Sequence, residues 1–143
     1  MEQHLVVFLV VLLSAASWSL AQPGFVGGWR ERSASDPDVK EAAAFALQAY
    51  NEASNSLYCS KALRVLEAKS QVVAGTKYSL TIELVNTLCK KEAGSSLKDL
   101  DLEHCKMPPE NQQRREICIF QVWSRPWISD TQLLHMSCKA ATA

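Results

Sequence analysis

The sequence DPDVKEAAAFALQAYNEA, residues 36–53, predicts one helix of about five turns. Asp36 suits the N-cap, Pro37 suits the first helical position, and Asp38 adds a second acid to the first turn. Ser54-Asn55-Ser56 ends the helix. The apolar side chains recur at spacings of three and four residues and are mostly alanine, which predicts close packing on another element; they are Val39, Ala42, Ala43, Phe45, Ala46, Ala49, Tyr50 and Ala53.

After this helix the hydrophobic period shortens to two residues, which is typical of half-buried strands. Residues 63–69 and 78–84 alternate in this way. Between them lie residues 71–75, where Gly75 can supply the positive φ of a tight reversal, so we predict a long antiparallel hairpin. The second strand of this hairpin places four apolar side chains on one face, namely Tyr78, Leu80, Ile82 and Leu84.

Two further strands are predicted at residues 117–123 and 133–138. The turn between them is Ser124-Arg125-Pro126-Trp127. The intervening segment, residues 90–113, is charged and contains glycine and a Pro-Pro pair, so we expect a long loop or appendage there.

The chain has 143 residues, of which 48% are hydrophobic and 21% are charged, with fifteen Lys and Arg against fifteen Asp and Glu. This length predicts a single domain. Because the formal net charge is zero, electrostatics gives no reason to expect nucleic acid or an anionic membrane surface as the main partner.

The N-terminus predicts secretion. Residues 5–13 form an unbroken apolar run that is too short to span a bilayer as a helix. Small and polar residues predominate in the following stretch up to Ser19-Leu20-Ala21, which is typical of a cleavage site, although no Lys or Arg precedes the run. We therefore predict a signal peptide at residues 1–21 and one extracellular domain at residues 22–143, with an uncleaved signal anchor as the alternative.

Disulfides are permitted in a secreted chain, so pairings among the five cysteines have to be considered. Cys118 and Cys138 are symmetric about the second turn and can face each other across its hairpin. By the same reasoning Cys59 can face Cys89 across the first hairpin. Spacing alone does not decide between Cys59–Cys89 and Cys89–Cys105, and one cysteine remains unpaired in either case.

The sequence contains no motif for catalysis or for a cofactor. A Gly-x-Ser-x-Gly elbow, a phosphate-binding glycine loop, a His-Glu-x-x-His helix and a Cys-x-x-Cys pair are all missing. Only His104 and His135 follow the predicted signal peptide, so a zinc site has little support. Cys59 could act as a nucleophile with either histidine, but an isolated thiol is more often unpaired or a dimer bond, and we predict no enzyme.

Three segments outside the predicted core are candidates for binding. Residues 22–35 contain three glycines and a proline, which predicts a flexible arm that carries Phe25 and Val26. Trp127 in the second turn is a residue type that is common at binding surfaces. The alternatives are a frayed terminus and a tryptophan that folds back on the sheet. If the helix covers one face of the sheet, both turns can emerge at one end, where the arm joins them as a wedge that enters a groove.

In this order, these segments resemble the secreted (type 2) cystatins, which inhibit papain-like cysteine proteases. The Gln-x-Val-x-Gly motif of that family is matched by Gln71-Val72-Val73-Ala74-Gly75, its Pro-Trp by Pro126-Trp127, and its N-terminal glycine by Gly27. The resemblance covers residues 22–143. The spacing of four cysteines fits as well, namely Cys89, Cys105, Cys118 and Cys138.

The resemblance implies the cystatin fold, an α+β fold in which a five-stranded antiparallel sheet wraps around one long α-helix. The family supplies a short first strand near the mature N-terminus that the residue patterns do not predict. It also implies the disulfides Cys89–Cys105 and Cys118–Cys138, which leaves Cys59 unpaired. If exposed, Cys59 could crosslink two chains, and if buried it would be a small apolar side chain.

The resemblance further implies reversible, tight, non-covalent inhibition of cathepsin-class proteases, with no cofactor and no metal. Phe25 and Val26 would fill the non-primed pockets, and Gly27 would let the chain bend away from the catalytic thiolate. The primed side would be occupied by residues of the two turns, namely Gln71, Val72, Val73, Ala74, Gly75, Pro126 and Trp127.

Two other expectations come from the same family. Some members inhibit legumain through a separate surface whose asparagine matches Asn55, although Ser56 follows it here instead of an acid, and an asparagine at a helix end is more often a cap or turn. Members can also exchange the helix and the first hairpin strand between chains, opening at the turn that contains Val73. We therefore expect mainly a monomer, with a domain-swapped or Cys59-linked dimer as an alternative state.

The alternative from a different functional class is a non-inhibitory extracellular binding module, because the cystatin fold also serves as pro-regions and plasma carriers. Such relatives often lack the turn residues that are present here. A venom or host-defence ligand that acts on cells is a second alternative. Either one would leave papain active.

Overall fold

The computed structural model describes residues 27–91 and 101–141 of the chain. The predicted signal peptide and the residues Phe25 and Val26 lie outside the described residues. None of the described helices is long and apolar enough to cross a lipid bilayer. The helix and strands are β1 (Arg30–Glu31), α1 (Pro37–Ala53), β2 (Tyr58–Val72), β3 (Thr76–Lys90), β4 (Arg115–Arg125) and β5 (Asp130–Ala140).

All five strands belong to one antiparallel sheet, in the order β1-β2-β3-β4-β5. Each strand therefore pairs with its neighbour in the sequence, and the helix α1 packs on one face of the sheet. This architecture confirms the predicted α+β fold with one helix and five strands. Within the predicted loop at residues 90–113, the structure describes short 3-10 helices at Leu102–His104 and Glu110–Gln112.

The helix α1 has the predicted bounds, but the side chain of its N-cap residue bonds to the preceding segment and not to the helix. Asp36 occupies the N-cap position without a capping hydrogen bond from its side chain. Its carboxylate accepts hydrogen bonds from Arg32 Nε at 3.2 Å and from the backbone N–H of Ser33 at 3.3 Å. Asp36 therefore orders the segment that leads from β1 into the helix.

The hydrophobic core lies between α1 and strands β2, β3 and β4. The four apolar residues predicted for one face of β3 are all buried. The predicted helix stripe is only partly right, because Ala53 is exposed while Leu47 and Asn51 are buried. The core cluster consists of Val39, Ala42, Ala46, Leu47, Ala68, Tyr78, Leu80, Ile82, Leu84, Cys118, Phe120 and Val122.

Asn51 is a polar residue at a core position that is only 1% exposed. Its Nδ2 donates to the carbonyl oxygen of Ser60 at 3.0 Å, and its Oδ1 accepts from the N–H of Ser60 at 2.8 Å. The buried amide is thus satisfied, and the last turn of α1 is tied to the start of β2.

The first hairpin is longer than predicted, because β2 and β3 each have 15 residues. Its ladder is also irregular, since Leu63 and Leu66 are extra residues in β2 that shift the register. A regular ladder would pair Ser60 with Leu88, whereas the structure pairs Ser60 with Asn86.

The structure decides the cysteine pairing that spacing left open. Cys89 forms a disulfide with Cys105, while Cys59 lies at a third irregularity of the first ladder, between the pairs Tyr58–Lys90 and Ser60–Asn86. The other disulfide joins Cys118 and Cys138, which are Cα partners in neighbouring strands. These are the two disulfides that the family resemblance implied.

All five cysteines lie within the described residues, and Cys59 is the one that forms no disulfide. Its side chain is 0% exposed. Burial also raises the pKa of its thiol, which lowers the fraction of reactive thiolate. Burial therefore argues against the Cys59-linked dimer that was the alternative to a monomer, and Cys59 fills core space as a small apolar side chain.

Candidate functional site

The turn of the first hairpin, residues 73–75, has an unusual backbone. Ala74 has φ 23° and Gly75 has φ 106°, both in the left-handed region that favours glycine. The N–H of Val73 donates to the carbonyl oxygen of Gly75 at 2.9 Å. Val72 is 57% exposed and Ala74 is exposed as well, so the turn presents small apolar side chains and backbone to the solvent.

Gly75 is also the point at which the first turn touches the second hairpin. A Cβ at this position would collide with the carbonyl oxygen of Ser124 and lie 3.0 Å from Cγ of Arg125. In addition, the indole Nε1 of Trp123 donates to the carbonyl oxygen of Ala74 at 3.2 Å. The first turn therefore packs against the last three residues of β4.

The second turn is a 3-10 helix at Pro126–Ile128. Ser129 follows it in the left-handed conformation, with φ 49°, and its N–H donates to the carbonyl oxygen of Pro126 at 3.1 Å. Trp127 is 64% exposed and Ile128 is 54% exposed. The indole of Trp127 thus stays in the solvent, and the alternative in which it folds back on the sheet is wrong.

An ion pair joins the two strands at the base of the second turn. Arg125 is the last residue of β4, and its guanidinium binds the carboxylate of Asp130, the first residue of β5, with Nε 3.1 Å from Oδ2. Gln132 Nε2 also donates to Asp130 at 3.0 Å. The hydrogen bonds from Arg125 lower the pKa of the Asp130 carboxyl, so the pair is fully charged at neutral pH.

The N-terminal segment reaches the first turn from the other side. The N–H of Gly27 donates to the carbonyl oxygen of Val72 at 3.3 Å, and Gln71 Nε2 donates to the carbonyl oxygen of Gly27 at 2.8 Å. Further along, Arg30 and Glu31 pair with Ser70 and Lys69 of β2. From Gly27 onward the predicted arm is therefore bonded along β2 and is not free.

These three segments lie together at one end of the sheet. We define the tip surface as residues 27–28, 71–75 and 126–128. The structure brings together every predicted contact residue that it describes. Two exposed apolar residues at this end are not among the predicted contacts, namely Ile128 in the second turn and Trp29, which is 42% exposed and lies within the arm. Both could have been found as large apolar residues next to turn or glycine signals without a predicted partner.

Asn55 lies at the opposite end of the molecule. The C-cap of α1 is Ser54, in an extended conformation, and Asn55 follows it as an exposed residue of the short loop to β2. That loop adjoins the end of the sheet where Tyr58 pairs with Lys90, the far end of the hairpin from the tip surface. Any function of Asn55 therefore belongs to a separate surface.

The family model described as "Cystatin domain" matches residues 27–127, which extend from the first glycine of the tip surface to its exposed tryptophan. The chain belongs to the cystatin family. This membership also bears out the prediction that the chain is not an enzyme, because the cystatins are inhibitors.

Similar proteins agree in sequence and in fold. A cystatin of Naja kaouthia is 54% identical over 112 residues, which cover 78% of this chain and 79% of that protein. A cystatin of Notechis scutatus scutatus is 47% identical over 133 residues, covering 93% and 94% of the two chains. Among solved structures, dimeric human cystatin F has a TM-score of 0.72 at 26% identity and covers 88% of this chain and 97% of its own. A salivary cystatin from the soft tick Ornithodoros moubata has a TM-score of 0.63, also at 26% identity, and covers 79% and 97%.

A metal site is not supported by the described residues of this cystatin. Glu116, Cys118 and Cys138 are the one group of potential ligands that lies close together there. Both sulfur atoms of this group belong to a disulfide, so neither is available as a thiolate ligand.

Proposed function

We propose that this cystatin is a secreted, reversible inhibitor of papain-like cysteine proteases of the cathepsin class. It blocks the active-site cleft without covalent chemistry. The observation that carries the proposal is the convergence of three distant segments in one tip surface, with the exposed indole of Trp127 at its edge. The two disulfides support secretion, because such bonds persist in oxidising compartments.

The contacts within the tip surface explain how such an inhibitor could bind tightly. Gln71 fixes the backbone at Gly27, and Trp123 fixes the backbone at Ala74. Segments that are already ordered lose little conformational entropy when they dock, so more of the contact energy appears as affinity. Trp127 and Ile128 then supply apolar area that is exposed in the free inhibitor and buried in the complex.

The proposed mechanism is occlusion. Residues 71–75 and Pro126-Trp127 occupy the primed side of the cleft, while Phe25 and Val26 fill the non-primed pockets. No heavy atom lies within 4 Å of the position that a Cβ on Gly27 would occupy, so the inhibitor's own chain does not require glycine there. Gly27 would then be required only in the complex. The absence of a side chain there would let the inhibitor backbone pass close to the catalytic thiolate of the protease.

The decisive experiment is a titration of papain with the wild-type protein and with Trp127→Ala. We expect the variant to raise the inhibition constant about 30-fold, which corresponds to the loss of about 2 kcal/mol of binding free energy. Leu57→Ala is the matched control, because Leu57 is an exposed apolar residue at the opposite end of the sheet. Its inhibition constant should equal that of the wild type.

Each result has a definite meaning. An inhibition constant that is unchanged by Trp127→Ala would remove the second turn from the binding site. A wild-type protein that leaves papain fully active at micromolar concentration would overturn the proposal and favour the non-inhibitory binding module. Inhibition of legumain through Asn55 stays a separate prediction. Asn55 is exposed, so the surface around it is accessible to a second protease.

A further inference from the structure

Arg125 is not part of the tip surface, yet it contacts both strands of the second hairpin and the first turn. Its guanidinium carbon lies 4.2 Å from the centre of the Trp123 ring, and the same group is bound to Asp130. Its Cγ lies 3.0 Å from the position that a Cβ on Gly75 of the first turn would occupy. One side chain thus contacts β4, β5 and the turn between β2 and β3.

We propose that Arg125 is a positioning residue that holds the second turn of the tip surface in a fixed orientation relative to the first. The inference rests on the proposed function, because it assigns to Arg125 the pre-organisation of the surface that would dock on a protease. Arg125 acts through Trp127 and need not touch the protease itself.

At the base of the second turn, Arg125 connects the two strands of the hairpin. Residues 126–129 project beyond the last pair of the β4–β5 ladder, which is Arg125 with Asp130. The ion pair between these two side chains therefore braces the base of the turn that carries Trp127. Because one guanidinium nitrogen at 3.1 Å and a second nitrogen both bind Oδ2, the pair has a defined orientation.

Arg125 is also connected to the first turn, through Trp123. The indole of Trp123 donates its N–H to Ala74, and its ring carries the guanidinium of Arg125 on one face. A continuous series of contacts therefore runs from Asp130 through Arg125 and Trp123 to Ala74. Loss of the guanidinium would free both the second turn and the ring that supports the first.

The test is a comparison of papain inhibition by Arg125→Leu, Arg125→Lys and Asp130→Asn. We expect Arg125→Leu to raise the inhibition constant about tenfold, because the second turn must then be ordered during binding. Arg125→Lys keeps the charge but not the planar stacking group, so partial rescue is expected. Asp130→Asn should change inhibition in the same direction as Arg125→Leu. Arg114→Leu, which removes an exposed arginine just before β4, should have no effect.

A double-mutant cycle separates positioning from direct contact with the protease. If Arg125 acts through Trp127, Arg125→Leu should add less than about twofold when Trp127 is already alanine. A full tenfold effect in the Trp127→Ala background would overturn the positioning role. Hydrogen exchange of the Trp123 indole N–H offers a readout without protease, and it should be faster in Arg125→Leu than in the wild type.

The two proposals can fail separately. If the wild type inhibits papain but Arg125→Leu inhibits equally well, this inference is wrong and the proposed function stands. If the wild type does not inhibit papain, the proposed function is wrong, and the role of Arg125 in inhibition is wrong with it. A melting temperature for each variant shows whether that variant is folded. If Arg125→Leu does not fold, the comparison of Arg125→Lys with the wild type still tests the inference.

Discussion

Gly75 is the position of the tip surface at which the rest of the structure tolerates a side chain least. Its φ of 106° disfavours every other residue type, and a Cβ would collide with the carbonyl oxygen of Ser124. We expect Gly75→Ala to lower the free energy of unfolding by about 2 kcal/mol, measured by urea denaturation. Papain inhibition should also weaken, because the first turn must move away from Trp123.

Gly28→Ala is a suitable control for this prediction. Gly28 lies in the same tip surface, but no heavy atom lies within 4 Å of its Cβ position. Its replacement should change the free energy of unfolding by less than about 0.5 kcal/mol. Equal stabilities of the two alanine variants would show that the close approach of Gly75 to Ser124 is not important.

The sequence predicts these residues to different extents. The positive φ of Gly75 follows from the position of a glycine between two strand patterns. Its contact with Ser124 could not be predicted, because it depends on how β4 lies beside β3 over ten paired positions. The residue pattern identifies Trp127 as a candidate anchor, while Arg125 resembles an ordinary turn residue, since its partners Trp123 and Asp130 are defined by the hairpin register.

At the level of elements, β1 is held to the helix by a network around Arg32. The guanidinium donates to Asp38 Oδ1 at 2.6 Å, to Asp36 at 3.2 Å and to Ser70 Oγ at 3.0 Å. Tyr78 also donates its hydroxyl to Asp38, at 2.8 Å. The short strand β1, which lies within the arm, is therefore connected through Arg32 and Asp38 to both α1 and β3.

The pKa of Asp38 predicts how this network depends on pH. Burial raises the pKa of its carboxyl, but the hydrogen bonds from Tyr78 and Arg32 outweigh burial, and the net pKa is lowered. Burial and the hydrogen bond to Asp38 raise the pKa of Tyr78 to about 12, so its hydroxyl stays protonated and donates. The contribution of Asp38 to stability is thus fully present above the ordinary pKa of aspartate and is lost as the pH falls through the lowered value.

We therefore expect Asp38→Asn to reduce the free energy of unfolding by about 1 kcal/mol at pH 7, a modest value because the carboxylate is nearly half exposed. The difference from the wild type should shrink towards zero in strong acid, in urea denaturation curves recorded over a pH series. Glu41→Gln is the control, since Glu41 is an exposed acid on the same helix. A difference for Asp38→Asn that does not change with pH would contradict the ionic role of Asp38.

The elements differ in how far the sequence predicts them. The helix bounds are predicted because capping and periodicity are local signals. The register of β2 is not predicted, because Leu63 and Leu66 become bulges in a strand that packs against the helix. The second hairpin contains a similar irregularity between Gln121 and Val122, where Leu134 is the extra residue in β5. This shift brings the cysteines of that hairpin into opposition.

At the level of the whole molecule, the disulfides are distributed unevenly along the chain. Both lie after Gly75, joining β3 to the segment before β4 and β4 to β5. Because Cys59 is the one cysteine before the first turn and is unpaired, no disulfide crosses that turn. The segment from β1 to the end of β2 can exchange between two chains without the reduction of any bond.

The backbone of the first turn predicts what would favour this exchange. Ala74 has φ 23°, a costly conformation for a residue with a Cβ, and the cost disappears if residues 73–75 open into an extended connection. Ala74→Gly removes this strain from the closed monomer. We expect it to lower the fraction of dimer that forms during prolonged incubation in mild denaturant, measured by size-exclusion chromatography.

Ser129→Gly provides the matched control, because Ser129 is the other non-glycine residue with positive φ among the described residues, and it lies in the second turn. It should leave the dimer fraction unchanged if the hinge is the first turn. The exchanged dimer should also fail to inhibit papain, since an opened first turn no longer contributes residues 73–75 to the tip surface. A dimer that inhibits as well as the monomer, or an equal effect of both glycine variants, would show that the chains associate in another way.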